Sequence, residues 1–100
     1  MPLTENKYQA KLIKHIQDIY PEAIILKNDA NYLQGIPDWT ILYKKRWVMF
    51  DVKKDANAVH QPNQEWYLNY ADEQGYFGSF VYPENEQDFL DKLAAVLNNE

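Results

Sequence analysis

The chain contains no cysteine, so neither a disulfide framework nor a thiolate zinc site holds its fold. A reducing compartment is compatible with that. Glycine is scarce, with 3 residues in 100, and none of them belongs to a Gly-rich phosphate loop. No Ser-His-Asp order and no zinc-ligand spacing occurs either. No stretch approaches the roughly 20 apolar residues of a membrane span, and the N-terminus lacks a signal-peptide pattern. The expected setting is therefore intracellular, in the cytoplasm. Repeats, low-complexity segments and composition breaks are missing too, which leaves one domain over residues 1–100. Basic charge is also in short supply. With 10 Lys/Arg against 15 Asp/Glu the net charge is -5, which argues against a protein that coats nucleic acid through bulk charge.

What the chain does have is material for one packed core: 46% hydrophobic and 15% aromatic residues. Its charge is unevenly placed. Residues 1–50 carry seven Lys/Arg and five Asp/Glu, and residues 51–100 carry three and ten. Lys44, Lys45, Arg46, Lys53 and Lys54 fall in one stretch, which allows a locally basic face on an acidic body.

Thr4 suits a helix N-cap, with Leu3 and Tyr8 spaced for a hydrophobic staple. Tyr8, Leu12, Ile16, Ile19 and Tyr20 recur at helical spacing until Pro21 stops the run. Glu5, one turn before Tyr8, leans toward the buried side of that helix. Residues 23–27 read as a strand and 28–35 as a polar turn. Strands follow at 38–43 and 47–53, and the short gap Lys44-Lys45-Arg46 between them predicts an antiparallel hairpin. Pro62 suits the first position of a second helix ending near Gln74 and Gly75. Residues 77–82 form a fourth strand. Asn85 caps a last helix with Phe89, Leu90, Leu93, Val96 and Leu97 as its apolar face.

Alternation in the third strand puts Trp47, Met49, Asp51 and Lys53 on one face and Val48, Phe50 and Val52 on the other, the core side. Asp51 and Lys53 are then about 7 Å apart along the strand. The hairpin brings Asp38 beside residues 51–53. Two registers, one residue apart, remain open, and only one sets Asp38 directly opposite Asp51. Close carboxylates repel unless a cation or proton lies between them. Hard oxygen ligands favour Mg²⁺ or Mn²⁺, and a metal-bound water can attack a phosphodiester. An isolated Asp-x-Lys is more often an ordinary surface ion pair. His60 and His15 read as solvated side chains, and most of the Trp and Tyr residues as core or subunit contacts.

Gly35-Ile36-Pro37-Asp38, then Asp51-Val52-Lys53, then Gln64, in an α-β-β-β-α-β order, resemble the PD-(D/E)XK nuclease superfamily. The closest likeness is to its small stand-alone VRR-nuc type, found in phages and related to Holliday-junction resolvases. The resemblance implies an α/β, restriction-endonuclease-like core: α-β-β-β-α-β-α with a central mixed sheet flanked by helices. It implies a Mg²⁺-dependent DNA endonuclease, with Mn²⁺ able to substitute, that cuts branched DNA as a homodimer in a phage-infected or prophage-carrying bacterium. Asp38, Asp51, the Val52 carbonyl and Glu5 would hold the metal. Lys53 would be the catalytic lysine, and Gln64, with Gln61 as the alternative, the glutamine of the second helix. Lys44, Lys45, Arg46 and Lys54 would touch DNA. Trp66, Tyr67, Tyr70, Tyr76 and Phe77 are the exposed candidates for the dimer contact. Two departures stand out: the third-strand acid is Asp51 where this type usually has Glu, and the chain is acidic. The rival reading is an inactive nuclease fold that serves as a nucleic-acid- or protein-binding module.

Overall fold

In a computed structural model the described residues are 4–98. The staple expected between Leu3 and Tyr8 involves a residue outside that range. The first helix, α1 (Glu5–Ile19), starts where its cap predicts: the Thr4 hydroxyl accepts the Lys7 N–H at 3.2 Å. Tyr20 caps its C-terminus, one residue before Pro21. Three strands follow, β1 (Ile24–Lys27), β2 (Trp39–Tyr43) and β3 (Arg46–Val52), then α2 (Gln64–Gln74), β4 (Phe77–Val81) and α3 (Glu86–Leu97), the last preceded by a 3₁₀ turn at Pro83–Asn85. The second helix begins at Gln64 and not at Pro62, because Asn63 takes a left-handed φ of 71° and turns the chain first. The Asn85 side chain does not cap α3. It holds the turn instead, accepting the Tyr82 N–H and donating to the Phe80 carbonyl, each at 2.9 Å.

The sheet order is β1-β2-β3-β4, antiparallel between the first three strands and parallel between β3 and β4. The parallel pair needs a crossover, and α2 supplies it. The expected mixed sheet flanked by helices is therefore present. Ile41, Val48, Phe50, Val52, Phe77 and Val81 form the core face and meet Tyr8, Leu12 and Ile16 of α1 and Phe89, Leu93 and Leu97 of α3. Phe89 touches both Phe50 and Phe77, at ring distances of 5.1 and 5.8 Å. Phe77 is 1% exposed, so it belongs to this core and not to an outer contact surface. Its position beside Val48 in the register sends it inward.

The other face is covered over β3 and β4 by α2. Gly78 makes this close approach possible, because a Cβ there would overlap the Leu68 carbonyl. β3 is thus buried on both faces, with Met49 and Asp51 enclosed as well as Val48 and Phe50.

Candidate active site

The β2–β3 hairpin closes at Lys44-Lys45, with Trp39 opposite Phe50 at its other end. Extending that register by one rung sets Asp38 opposite Asp51, the first of the two registers left open by the sequence. The Asp38 N–H donates to Asp51 Oδ1 at 2.9 Å. The next rung faces Pro37 with Val52. Lys53 directs its N–H to Val81 of the β4 side at 2.8 Å, so alternation turns the Val52 backbone toward Pro37. Proline brings no N–H, and the ladder therefore offers the Val52 carbonyl no donor there.

Asp51 is 1% exposed. Its Oδ2 lies 3.1 Å from the Lys53 ammonium, yet the angle is not that of a hydrogen bond. Burial pushes the Asp51 carboxyl above its ordinary value, the Asp38 charge adds to this, and Lys53 works against both. Lys53 is itself buried, 6.0 Å from the centre of the Phe80 ring. His60 stacks on Phe80 at 3.8 Å and meets Glu65 at 3.2 Å through Nδ1, whose proton depends on the tautomer. Asp38 is half-buried and has Lys27 at 3.6 Å.

Two residues that carry no chemistry shape this end. Asn28 donates its N–H to the Asp38 carbonyl at 2.8 Å, and its side-chain amide to Pro37 O and Thr40 Oγ1 at 2.9 and 2.8 Å. It thereby ties β1 to the chain on both sides of Asp38. Gly35 takes φ 86°, and a Cβ on it would overlap the Pro62 carbonyl and the Asn63 side chain. Only glycine satisfies both conditions, and the contact brings the Gly35–Asp38 segment against the start of α2. Gln64 stands there, 6% exposed, its Oε1 accepting the Gln61 N–H at 2.9 Å. Gln61 is exposed.

The remaining sequence candidates lie apart. Glu5 is exposed in the first turn of α1 and does not lean into the core, because the buried stripe of that helix begins one turn later, at Tyr8. Among the described residues no group of three or more His, Cys, Asp or Glu gathers to hold a metal, so Glu5 does not join Asp38 and Asp51. The basic stretch is divided by the strand itself. Lys44, Lys45 and Arg46 sit at the hairpin tip, and Lys53 and Lys54 lie at the other end, seven rises or about 23 Å away. Lys27, Asn28 and Phe80 are neighbours of the site that sequence reasoning passed over. Asn28 opens the polar turn segment and carried a turn signal only; nothing local distinguished the other two.

Asp38 and Asp51, facing each other in the extended register, and the Val52 carbonyl, which lacks a ladder donor, are oxygen donors of the kind a hard divalent cation takes. Mg²⁺ is commonly held by one or two carboxylates and keeps several waters. The architecture around this site has a solved counterpart. A chain described as "VRR_NUC domain protein" superposes with a TM-score of 0.65 over 98% of this chain and 88% of its own, at 18% identity. This is a VRR-nuc-type fold. The restriction-endonuclease-like order of elements expected from the sequence agrees with it. No family model matches the chain, and no curated protein does.

Proposed function

We propose that this VRR-nuc-type fold is a metal-dependent DNA endonuclease that hydrolyses phosphodiester bonds. The observation that carries the reading is the buried Asp51–Lys53 pair, joined to Asp38 through the Asp38 N–H, at the open end of the hairpin. Structures rarely bury two charges without a purpose, since desolvation costs several kcal/mol per ion (an order-of-magnitude figure). Here that cost is offset by the Lys53 ammonium 3.1 Å from Asp51 Oδ2, an oxygen that accepts no hydrogen bond.

Asp38, Asp51 and the Val52 carbonyl would hold Mg²⁺ or Mn²⁺. The cation would supply charge neutralisation and polarisation at the scissile phosphate. Lys53 would donate to a phosphate oxygen as negative charge develops there. Its stem is held by the buried environment beside Phe80, so the ammonium is already placed. Gln64 would present its side-chain NH₂ to the substrate backbone, its oxygen being engaged by Gln61. Branched DNA as substrate, a homodimer that sets two sites across a junction, Lys54 as a phosphate contact and a phage setting belong to the same proposal; they rest on the likeness of Gly35–Asp38 and Asp51–Lys53 to small phage resolvases.

The test combines cleavage with metal binding. Single-stranded, duplex, flap and four-way-junction DNA are incubated with Mg²⁺, and Mn²⁺ is titrated calorimetrically into wild type and Asp38→Ala. Junction cleavage in preference to linear duplex, metal binding lost in the variant, and a scattering mass about twice 11.9 kDa are the expected results. DNA binding without any cleavage would reassign the chain as a nucleic-acid-binding module. Equal Mn²⁺ binding in both proteins would overturn the site.

A further inference from the structure

On the side of the sheet that carries Asp51, α2 lies on β4 and β3 and leaves the β1–β2 half open. The register places Ile24, Leu42 and Trp47 in one row on that side, and Leu26 in the next. Ile24, Leu26 and Leu42 are 56%, 41% and 39% exposed. The flank of α2 bounds this open half. Trp66 and Tyr70, one turn apart, are 61% and 46% exposed, and their rings stack at 5.6 Å and 17°. Tyr70 reaches Trp47 at 6.3 Å. Beyond it, the Arg46 guanidinium lies 5.6 Å from the exposed Tyr76 ring. At this end is a cavity of about 390 Å³ whose lining includes Ile24, Leu42, Trp47 and all three cations of the hairpin tip, with Glu22 as its acid.

The tip has a further peculiarity. Lys44 and Lys45 both occupy left-handed conformations, with φ 54° and 62°. A two-residue turn chosen for shape alone takes Asn-Gly, which reaches positive φ with little strain. Two lysines there carry a conformational cost and hold two cations at the end of the aromatic row.

We infer that this open half-face is a binding track for an unpaired nucleic-acid strand, its bases stacked along Trp66 and Tyr70 and its phosphates held by Lys44, Lys45 and Arg46. The inference rests on the nucleic-acid reading of the site and defines the substrate class more narrowly: DNA with a single-stranded segment beside the cut. The tip stands five rises, about 17 Å, from Asp51 on the same strand, so one strand can span both with several nucleotides. Exposed near-parallel rings accept any base face, and the cations match a polyanion without making the whole chain basic. This also accounts for an acidic protein that engages nucleic acid locally.

Fluorescence anisotropy in EDTA tests the track, because without divalent metal binding is read apart from cleavage. A duplex with a single-stranded tail should bind about tenfold more tightly than the same duplex with blunt ends, the order expected for one stacked base. Trp66→Ala/Tyr70→Ala should erase that preference and leave blunt-duplex affinity in place. Lys44→Asn/Lys45→Gly should reduce the salt dependence of tailed-duplex binding by about 1.4 in log–log slope, two contacts at about 0.7 each, while the turn becomes more stable. A protein that fails to cut with Mg²⁺ yet prefers the tailed duplex supports the track. Equal affinity for tailed and blunt duplexes overturns it. So does an aromatic double variant that keeps the tail preference but loses a dimer by light scattering, since the face would then be an interface between copies of the chain.

Discussion

At the closed end of the β2–β3 hairpin Lys44 and Lys45 stand in solvent, whereas at the open end Asp51 and Lys53 are almost fully enclosed. The tip cations keep their hydration, so their charge is inexpensive and acts through a field that salt screens. The cost at the tip is conformational, in two left-handed φ angles. At the open end Asp51 lies within a regular strand and its cost is electrostatic: a carboxylate raised by burial and by Asp38, offset in part by Lys53. One strand thus joins a solvated basic tip to an enclosed ion pair. Substitutions at the two ends should fail in different ways.

The largest effect should come from Lys53→Met, which keeps the buried stem and removes the charge. Cleavage should drop by about a hundredfold to a thousandfold, the usual loss when one donor to a developing charge is removed. Calorimetric Mn²⁺ binding should persist. Unchanged cleavage would reduce Lys53 to a structural counter-ion of Asp51.

Next is Gly35→Ala, which tests whether the open end depends on close backbone approach. Positive φ and the overlap with Pro62 and Asn63 should cost about 2 kcal/mol, or about 8–16 °C in melting temperature for a chain of this size. An unshifted melting curve would show that the contact is not required.

A smaller effect separates the ends by pH. The folded chain holds the Asp51 proton more tightly than the unfolded chain, whose value is near 3.8. The contribution of this group to stability is therefore present below that value and lost as pH rises through the folded one. If Asp51 holds a divalent metal as proposed, the metal favours the ionised carboxylate and offsets this loss, so Mn²⁺ should raise the melting temperature at neutral pH and progressively less toward pH of about 4. Asp38→Ala should abolish this rise, and the tip substitutions should leave it intact. A metal effect independent of pH would remove Asp51 from the donor set.

The smallest effect belongs to the tip. Lys44→Asn/Lys45→Gly should stabilise the fold by about 1 kcal/mol, because both residues enter the left-handed region with less strain. A lower melting temperature would mean that the lysines make contacts that the turn geometry does not reveal.

Much of this comparison was legible before folding. The Thr4 cap, the stop at Pro21, the hairpin around residues 44–46 and the end of α2 at Gly75 are local events, decided by backbone preferences over a few residues. The face shared by Trp47, Met49, Asp51 and Lys53 followed from strand alternation. Other features depended on partners distant in sequence. Glu5 was expected to lean inward from helical spacing, but exposure depends on what lies across from it. Phe77 was read as a surface aromatic at the start of a strand, and its place beside Val48, facing Phe89, puts it in the core. Five cations within eleven residues of sequence looked like one basic face, yet a strand converts sequence distance into length and sends the two groups to opposite ends.

The sequence by itself determined the kinds and order of the elements, the two faces of β3 and the residues able to do chemistry, because each of these rests on interactions within a few residues. Only the tertiary structure decided the register that sets Asp38 against Asp51, the burial that raises the Asp51 carboxyl, and the half of the sheet left open beside Trp66 and Tyr70. Those depend on how separate elements meet. Close approach at Gly35 and Gly78, and the absent N–H of Pro37, take on meaning only once their neighbours are in place.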